Sequence, residues 1–132
     1  MALEASGHRI LSGDTVLIYT DHYRWTYRTN DWPHGPGISA EAAGWLGAIT
    51  IAALGVETRS PGVPGVSNKE VHKIWGEMGF THYEYLVSMH NLVNRKPFRF
   101  IGLPLKIRSG KGSPVRAVAV FEESYSRVGF LG

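Results

Sequence analysis

Short β-branched runs alternate with segments of helical spacing along this chain, and that alternation limits the fold more than any single motif. Gly13-Asp14 is a turn signal, and residues 15–20 (TVLIYT) follow as a run of the buried-strand type. Ser39 stands as an N-cap with Glu41 in the first turn, so residues 40–48 read as a helix. Residues 49–56 are apolar and end at Gly55-Val56-Glu57, which reads as a second buried strand. Residues 60–67 (SPGVPGVS) form a turn-rich connector. Ser67 and Glu70 then make an S-x-x-E capping-box pattern. Val71, Ile74, Trp75 and Met78 recur at helical spacing, and Gly79 sits where a glycine closes a helix. Residues 80–87 (FTHYEYLV) read as a third strand.

The end of the chain has a different pattern. Residues 97–108 alternate, with Ile101, Leu103, Leu105 and Ile107 on one face. Residues 109–112 (SGKG) supply a turn, and residues 115–123 a final strand. Pro104 cannot donate to a ladder, so a bulge or an edge is expected there. Strand, helix, strand, helix, strand and then a hairpin is an α/β order. The fold class expected is a mixed sheet with flanking helices, parallel crossovers first and antiparallel pairing last. Residues 21–37 read as a loop holding Tyr23, Trp25, Tyr27, Trp32 and His34, and a loop of that length is usually functional.

At 132 residues, one domain is expected over 1–132. Hydrophobic content of 43% argues against disorder. The net charge of +3 comes from Lys and Arg scattered along the chain, so no nucleic-acid partner is expected. The densest basic run, residues 95–111, is better explained as a strand with one solvated face. There are no cysteines, which excludes disulfides, a thiol nucleophile and zinc–thiolate sites. Residues 1–10 contain no apolar run of the signal-peptide type, and residues 49–56 are too short to span a membrane. The expectation is a cytoplasmic, soluble protein with no membrane partner.

Six histidines and eleven carboxylates are the candidate ligands and bases. His72 lies one residue after Val71 on the capped helix, at the edge of its buried stripe. Glu84 lies among Tyr83, Tyr85 and Leu86, where a carboxylate is costly to bury unless it is paired or metal-bound. Helix and strand meet at Gly79, so the two side chains can converge. Imidazole and carboxylate suit zinc or manganese. A helix-edge histidine and an exposed strand carboxylate would fit the same residues. His82 is two residues from Glu84 and shares its face, as a third ligand, a supporting partner or an exposed side chain. His34, in His34-Gly35-Pro36-Gly37, is a candidate substrate contact or a turn histidine. His8, His22 and His90 have no ligand-spaced neighbours. Residues 108–114 (RSGKGSP) lack the spacing and the following helix of a phosphate loop. No nucleophile–base–orienter set stands out.

Several stretches resemble the cyclase family of metal-dependent hydrolases, which includes bacterial kynurenine formamidase and isatin hydrolase. They are Gly13-Asp14-Thr15-Val16-Leu17-Ile18, then Gly35-Pro36-Gly37-Ile38-Ser39 with Glu41-Ala42-Ala43 and Trp45-Leu46, then Gly55-Val56-Glu57-Thr58 and Val71-His72. They continue with Tyr83-Glu84-Tyr85-Leu86, Leu103-Pro104-Leu105-Lys106-Ile107-Arg108 and Gly112-Ser113-Pro114-Val115-Arg116-Ala117. The resemblance implies a swivelling β/β/α fold and a hydrolase that uses zinc or manganese to open amides or cyclic amides. It also implies that His72 and Glu84, twelve residues apart, are metal ligands. The family's H-x-G-T-H-x-D-x-P-x-H stretch, which supplies most of the ligands, has no counterpart in this sequence, and His82 stands where the family more usually has an apolar residue.

The chain therefore resembles the C-terminal half of a family member. Two expectations follow. The chain is part of an assembly, as a homo-oligomer or with a complementary chain carrying the other ligands. Alternatively, it is a non-catalytic binding or scaffold protein on a degenerate cyclase fold. The first predicts a small amide as substrate; the general base is not identifiable in either.

Overall fold

Three of the apolar runs become strands of one parallel sheet, β1 (Thr15–Ile18), β2 (Ala53–Val56) and β3 (Thr81–Tyr83), in the order β1-β2-β3. The computed structural model describes residue 5 and residues 7–121, in two compact units, Met1–Asn91 and Leu92–Gly132. In the first unit β1 pairs with β2 from Thr15↔Ala53 to Ile18↔Val56, and β2 with β3 from Ala53↔Thr81 to Gly55↔Tyr83. All four β2 residues are buried, as the central strand of a parallel sheet requires.

Two helices make the crossovers. The first, Ala40–Ala48, matches its expected bounds, and the Ser39 hydroxyl accepts the Ala42 N–H at 3.1 Å. The second, Asn68–Met78, ends on Gly79 in the left-handed region at φ 73°, whose N–H reaches the Trp75 carbonyl at 2.9 Å. Consecutive parallel strands joined by crossovers of one hand put both helices on one face. The core on that face is Ala43 and Leu46, Leu54 and Val56, and Val71 and Trp75, with Ile51 beside them. Trp75 is 1% exposed, and its indole N–H donates to the Ala43 carbonyl at 3.2 Å, tying the two helices together. On the opposite face Gly55 lets Leu17 and Leu86 close in, since a Cβ there would stand 2.4 and 2.6 Å from their methyls.

The capping box at Ser67 does not form. Three N–H groups, of Val66, Ser67 and Asn68, converge on the Val63 carbonyl, so the chain is already turning before the helix begins. Ser67 makes no cap hydrogen bond; its hydroxyl donates to the Ile38 carbonyl at 2.7 Å and accepts the Val63 N–H at 2.9 Å. The pattern marked the right helix start, but the hydroxyl holds two loops together instead.

The stretch expected as a loop, residues 21–37, contains a short helix, His22–Thr26, and a 3-10 turn, Trp32–His34. In chain order the helices are thus α1 (His22–Thr26), α2 (Ala40–Ala48) and α3 (Asn68–Met78). Five residues are too few to show a hydrophobic period. Helix α1 depends instead on a tertiary contact. The Glu57 carboxylate, 2% exposed, accepts the N–H of Thr20 at 2.6 Å, the Thr20 hydroxyl at 2.6 Å and the N–H of His22 at 3.1 Å. A carboxylate at a helix start satisfies orphan N–H groups and suits the local dipole. Tyr23 and Tyr27, one turn apart, stack at 4.5 Å.

The third strand is shorter than its apolar run. Tyr85 and Ser88 have φ of 55° and 62°, which ends regular extension. Hydrogen bonding to the sheet nevertheless continues from the Tyr85 N–H to the Thr58 carbonyl and from the Leu86 N–H to the Val56 carbonyl, each at 3.0 Å.

In the second unit β4 (Arg99–Ile101) and β5 (Val118–Val120) pair antiparallel as a separate two-stranded sheet, from Arg99↔Val120 to Ile101↔Val118. Residues 102–117 are irregular rather than strand. Pro104 and Pro114 remove donors from any ladder there, and the Leu105 N–H turns to the Ser113 hydroxyl at 2.7 Å. Leu103, Leu105 and Ile107, expected together on one face of a strand, are 75%, 61% and 50% exposed. Positions 122–123 of the expected final strand lie outside the described residues.

Candidate metal centre

His72 projects from the second turn of α3, His82 from β3, and Glu84 from the residue after β3's end. β3 runs parallel beside β2, and the Tyr85 N–H bonds to the Thr58 carbonyl at 3.0 Å, so the residues after β3 lie beside those that lead into the connector at Ser60. Glu84 Oε1 is the point of convergence. It lies 3.1 Å from His82 Nε2, 3.9 Å from His72 Nε2 and 3.4 Å from the Ser60 hydroxyl. One ligand atom from each of His72, His82 and Glu84 falls within 4.8 Å of the others, the one such grouping among the described residues. The three side chains are 41%, 22% and 30% exposed, so the cluster opens to solvent on the His72 side.

Rigid neighbours hold these groups. The His82 ring packs against buried Trp75 at 5.6 Å, and the His72 ring meets it edge-on at 4.9 Å. The Ser60 hydroxyl donates to Asn68 Oδ1 at 2.6 Å and stands 3.2 Å from His72 Nε2. Asn68 Oδ1 also accepts the Gly62 N–H at 3.1 Å, which fixes the connector over the start of α3. Two imidazoles and one carboxylate are a donor set that fits zinc or manganese.

Sequence reasoning had singled out His72, Glu84 and His82, and the structure brings all three together. It missed Ser60 and Asn68. Asn68 and His72 share a helix face at i, i+4, a signal that was present. Ser60 carried none, because its role exists only once the connector folds back. His34 is not in the cluster: it ends the 3-10 turn and is exposed. His22 stacks on Trp32 at 5.4 Å, and His90 is exposed on the 3-10 turn Met89–Leu92.

Next to Glu84 the chain meets an aromatic cluster. Tyr85 lies 5.6 Å from Trp32, which contacts Tyr23 edge-on at 5.6 Å and Tyr27 at 5.5 Å. Asp21 anchors the start of this segment in the left-handed region at φ 63°. The Tyr19 hydroxyl donates to it, and so does the Trp25 indole N–H, at 2.8 Å. The Tyr19 hydrogen bond holds the Asp21 carboxyl below its ordinary value; burial opposes it, and the weaker pulls of Trp25, Arg24 and His90 add to the lowering.

The chain shares this arrangement of strands and helices with solved hydrolases. Isatin hydrolase A from Ralstonia solanacearum superposes with a TM-score of 0.78 at 27% identity, over 89% of this chain and 49% of that one. Isatin hydrolase A from Labrenzia aggregata, bound to benzyl benzoate, gives 0.78 at 26% over 92% and 51%. The family resembled is the cyclase family, over part of a member's length. The Cyclase family model matches residues 1–63, which stops before His72, His82 and Glu84. A protein described as a potential metal-dependent hydrolase with cyclase activity shares the fold, with a TM-score of 0.64 at 19% identity over 86% and 54%. No curated protein sequence matches. The chain spans about half the length of these structures. Among the described residues no helix is long and apolar enough to cross a membrane.

Proposed function

We propose that this chain is one half of a metal-dependent hydrolase, bearing some of its metal ligands, that cleaves the C–N bond of an amide or cyclic amide, in the manner of a formamidase. The carrying observation is the approach of His72 Nε2 and Glu84 Oε1, 3.9 Å apart, on a fold shared with isatin hydrolases. Zinc or manganese held there would supply a Lewis acid for the carbonyl and a water of lowered pKa. His72 and Glu84 bind the cation. Ser60 and Asn68 orient His72, so that its nitrogen faces the carboxylate. Trp32 and Tyr85, with Tyr23 and Tyr27 behind them, present aryl surface beside Glu84 for a flat substrate. The general base, and whatever else the reaction needs beyond this chain's own ligands, comes from a complementary chain or a second copy.

The test is hydrolysis of an N-formyl arylamine and of isatin, followed by absorbance, with zinc or manganese, for the chain alone and with a chain carrying an H-x-G-T-H-x-D segment. Turnover is expected in the complemented, metal-loaded sample. It should fall by at least roughly 100-fold in His72→Ala and in Glu84→Ala, as loss of a ligand demands of an electrostatic catalyst. Absence of turnover in every metal-loaded combination would favour the binding or scaffold reading.

A further inference from the structure

The pair His72 and Glu84 leaves a third feature unexplained. His82 lies beyond that pair, yet its Nε2 is the nitrogen nearest Glu84 Oε1, at 3.1 Å against 3.9 Å for His72. We infer that His82 is a third metal ligand, so that this chain alone carries a His-His-Glu site that binds one divalent cation. The inference rests on the reading of His72 and Glu84 as ligands and adds to it both a residue and self-sufficiency.

Three observations carry it. The ligand atoms of His72, His82 and Glu84 already lie within 4.8 Å of one another without a cation. Ligand atoms around a tetrahedral zinc stand about 3.3 Å apart, given bonds of about 2.0–2.1 Å. The His82–Glu84 separation of 3.1 Å matches that, and His72 stands somewhat further off at 3.9 Å. Second, His82 is the least exposed of the three and its ring is set by packing on Trp75, itself anchored to Ala43. Its nitrogen is therefore aimed before any ion arrives, which lowers the ordering cost of binding. Third, the ligands come from two rigid elements and the end of a strand, α3, β3 and the residue after it, and not from a mobile loop. Two histidines and one glutamate with solvent on the fourth side is the composition of a site that keeps one position open. A bound water there is the natural fourth ligand.

The chain as it stands is titrated with zinc, followed by calorimetry, and with cobalt(II), followed by its visible d–d absorption. One equivalent is expected to bind. His82→Asn preserves a hydrogen-bonding group beside Glu84 but removes the imidazole. It should weaken zinc by more than about 100-fold, beyond the range of about 10–100-fold seen when only a supporting partner is lost, and should alter the cobalt spectrum. His90→Ala, which removes an exposed histidine elsewhere, should leave both unchanged, and circular dichroism of the metal-free variants checks that they fold. If His82→Asn binds zinc as tightly as the parent with the same cobalt spectrum, while His72→Ala does not bind, His82 is no ligand and the proposed function stands. If the parent itself takes up no stoichiometric zinc or cobalt, self-sufficiency is overturned. The hydrolase reading is then decided separately by the complemented assay.

Discussion

At the scale of single residues, two carboxylates show how local contacts set the site's frame. Glu57 is buried and takes three donors from Thr20 and His22, so the aromatic segment is pinned to the end of β2. Asp21 is partly exposed and acts one residue before α1, holding Tyr19 and Trp25. Its folded pKa is lowered, mainly by the Tyr19 hydroxyl, so it stabilises the fold above the ordinary carboxylate pKa of 3.8. That contribution is lost as pH falls through the lowered folded value. Denaturant unfolding should therefore show a stability gap between the parent chain and Asp21→Asn at neutral pH that narrows steadily below about pH 4. A gap that is constant across that range would show that the carboxylate charge plays no part.

At the scale of elements, two glycines separate backbone strain from steric conflict. Gly79 closes α3 at φ 73°, and a Cβ there would meet nothing within 4 Å. Gly79→Ala should cost about 1–2 kcal/mol, from the left-handed backbone alone. Gly37 has no such φ, but a Cβ would stand 2.2 Å from the Gly62 backbone carbon, where the isolated bridge Ile38↔Gly62 brings two loops together. Gly37→Ala must push backbone from backbone and should cost more than Gly79→Ala, by overpacking of about 1–3 kcal/mol and loosening of the connector that carries Ser60. Chemical denaturation of both variants ranks them, and the reverse order would refute the close approach. The helices themselves were legible. Capping and periodicity placed α2 and α3 within a residue, because both signals are local. Strand ends were not: β3 stops at Tyr83 because Tyr85 turns to positive φ, a choice made against Thr58 and Trp32 and invisible in the FTHYEYLV run.

At the scale of the whole molecule, the chain covers about half the length of the hydrolases whose fold it shares. Large apolar side chains stand open in the first unit, Trp25 at 72% and Val66 at 82%. Exposed apolar surface of this kind marks an interaction face when it is contiguous. The proposed assembly predicts that sedimentation of the purified chain, alone or with its complement, gives a species larger than the 14.6 kDa of one chain. A strictly monomeric chain that also ignores any complement would count against it. The antiparallel pair in the second unit belongs to this scale as well. Alternation along residues 101–107 reads as a strand with its apolar residues on one face, yet the chain there is irregular and Leu103, Leu105 and Ile107 are exposed.

The α/β order, the two crossover helices and the candidates His72, His82 and Glu84 are legible in the sequence, because helix caps, hydrophobic period and residue chemistry all act over a few positions. That these three gather around one carboxylate oxygen, that Ser60 and Asn68 support them, and that His34 stands apart come from long-range packing. The reason is geometric. Convergence depends on the parallel register of β2 with β3 and on the connector folding back over α3, and both are settled by packing between segments distant in sequence.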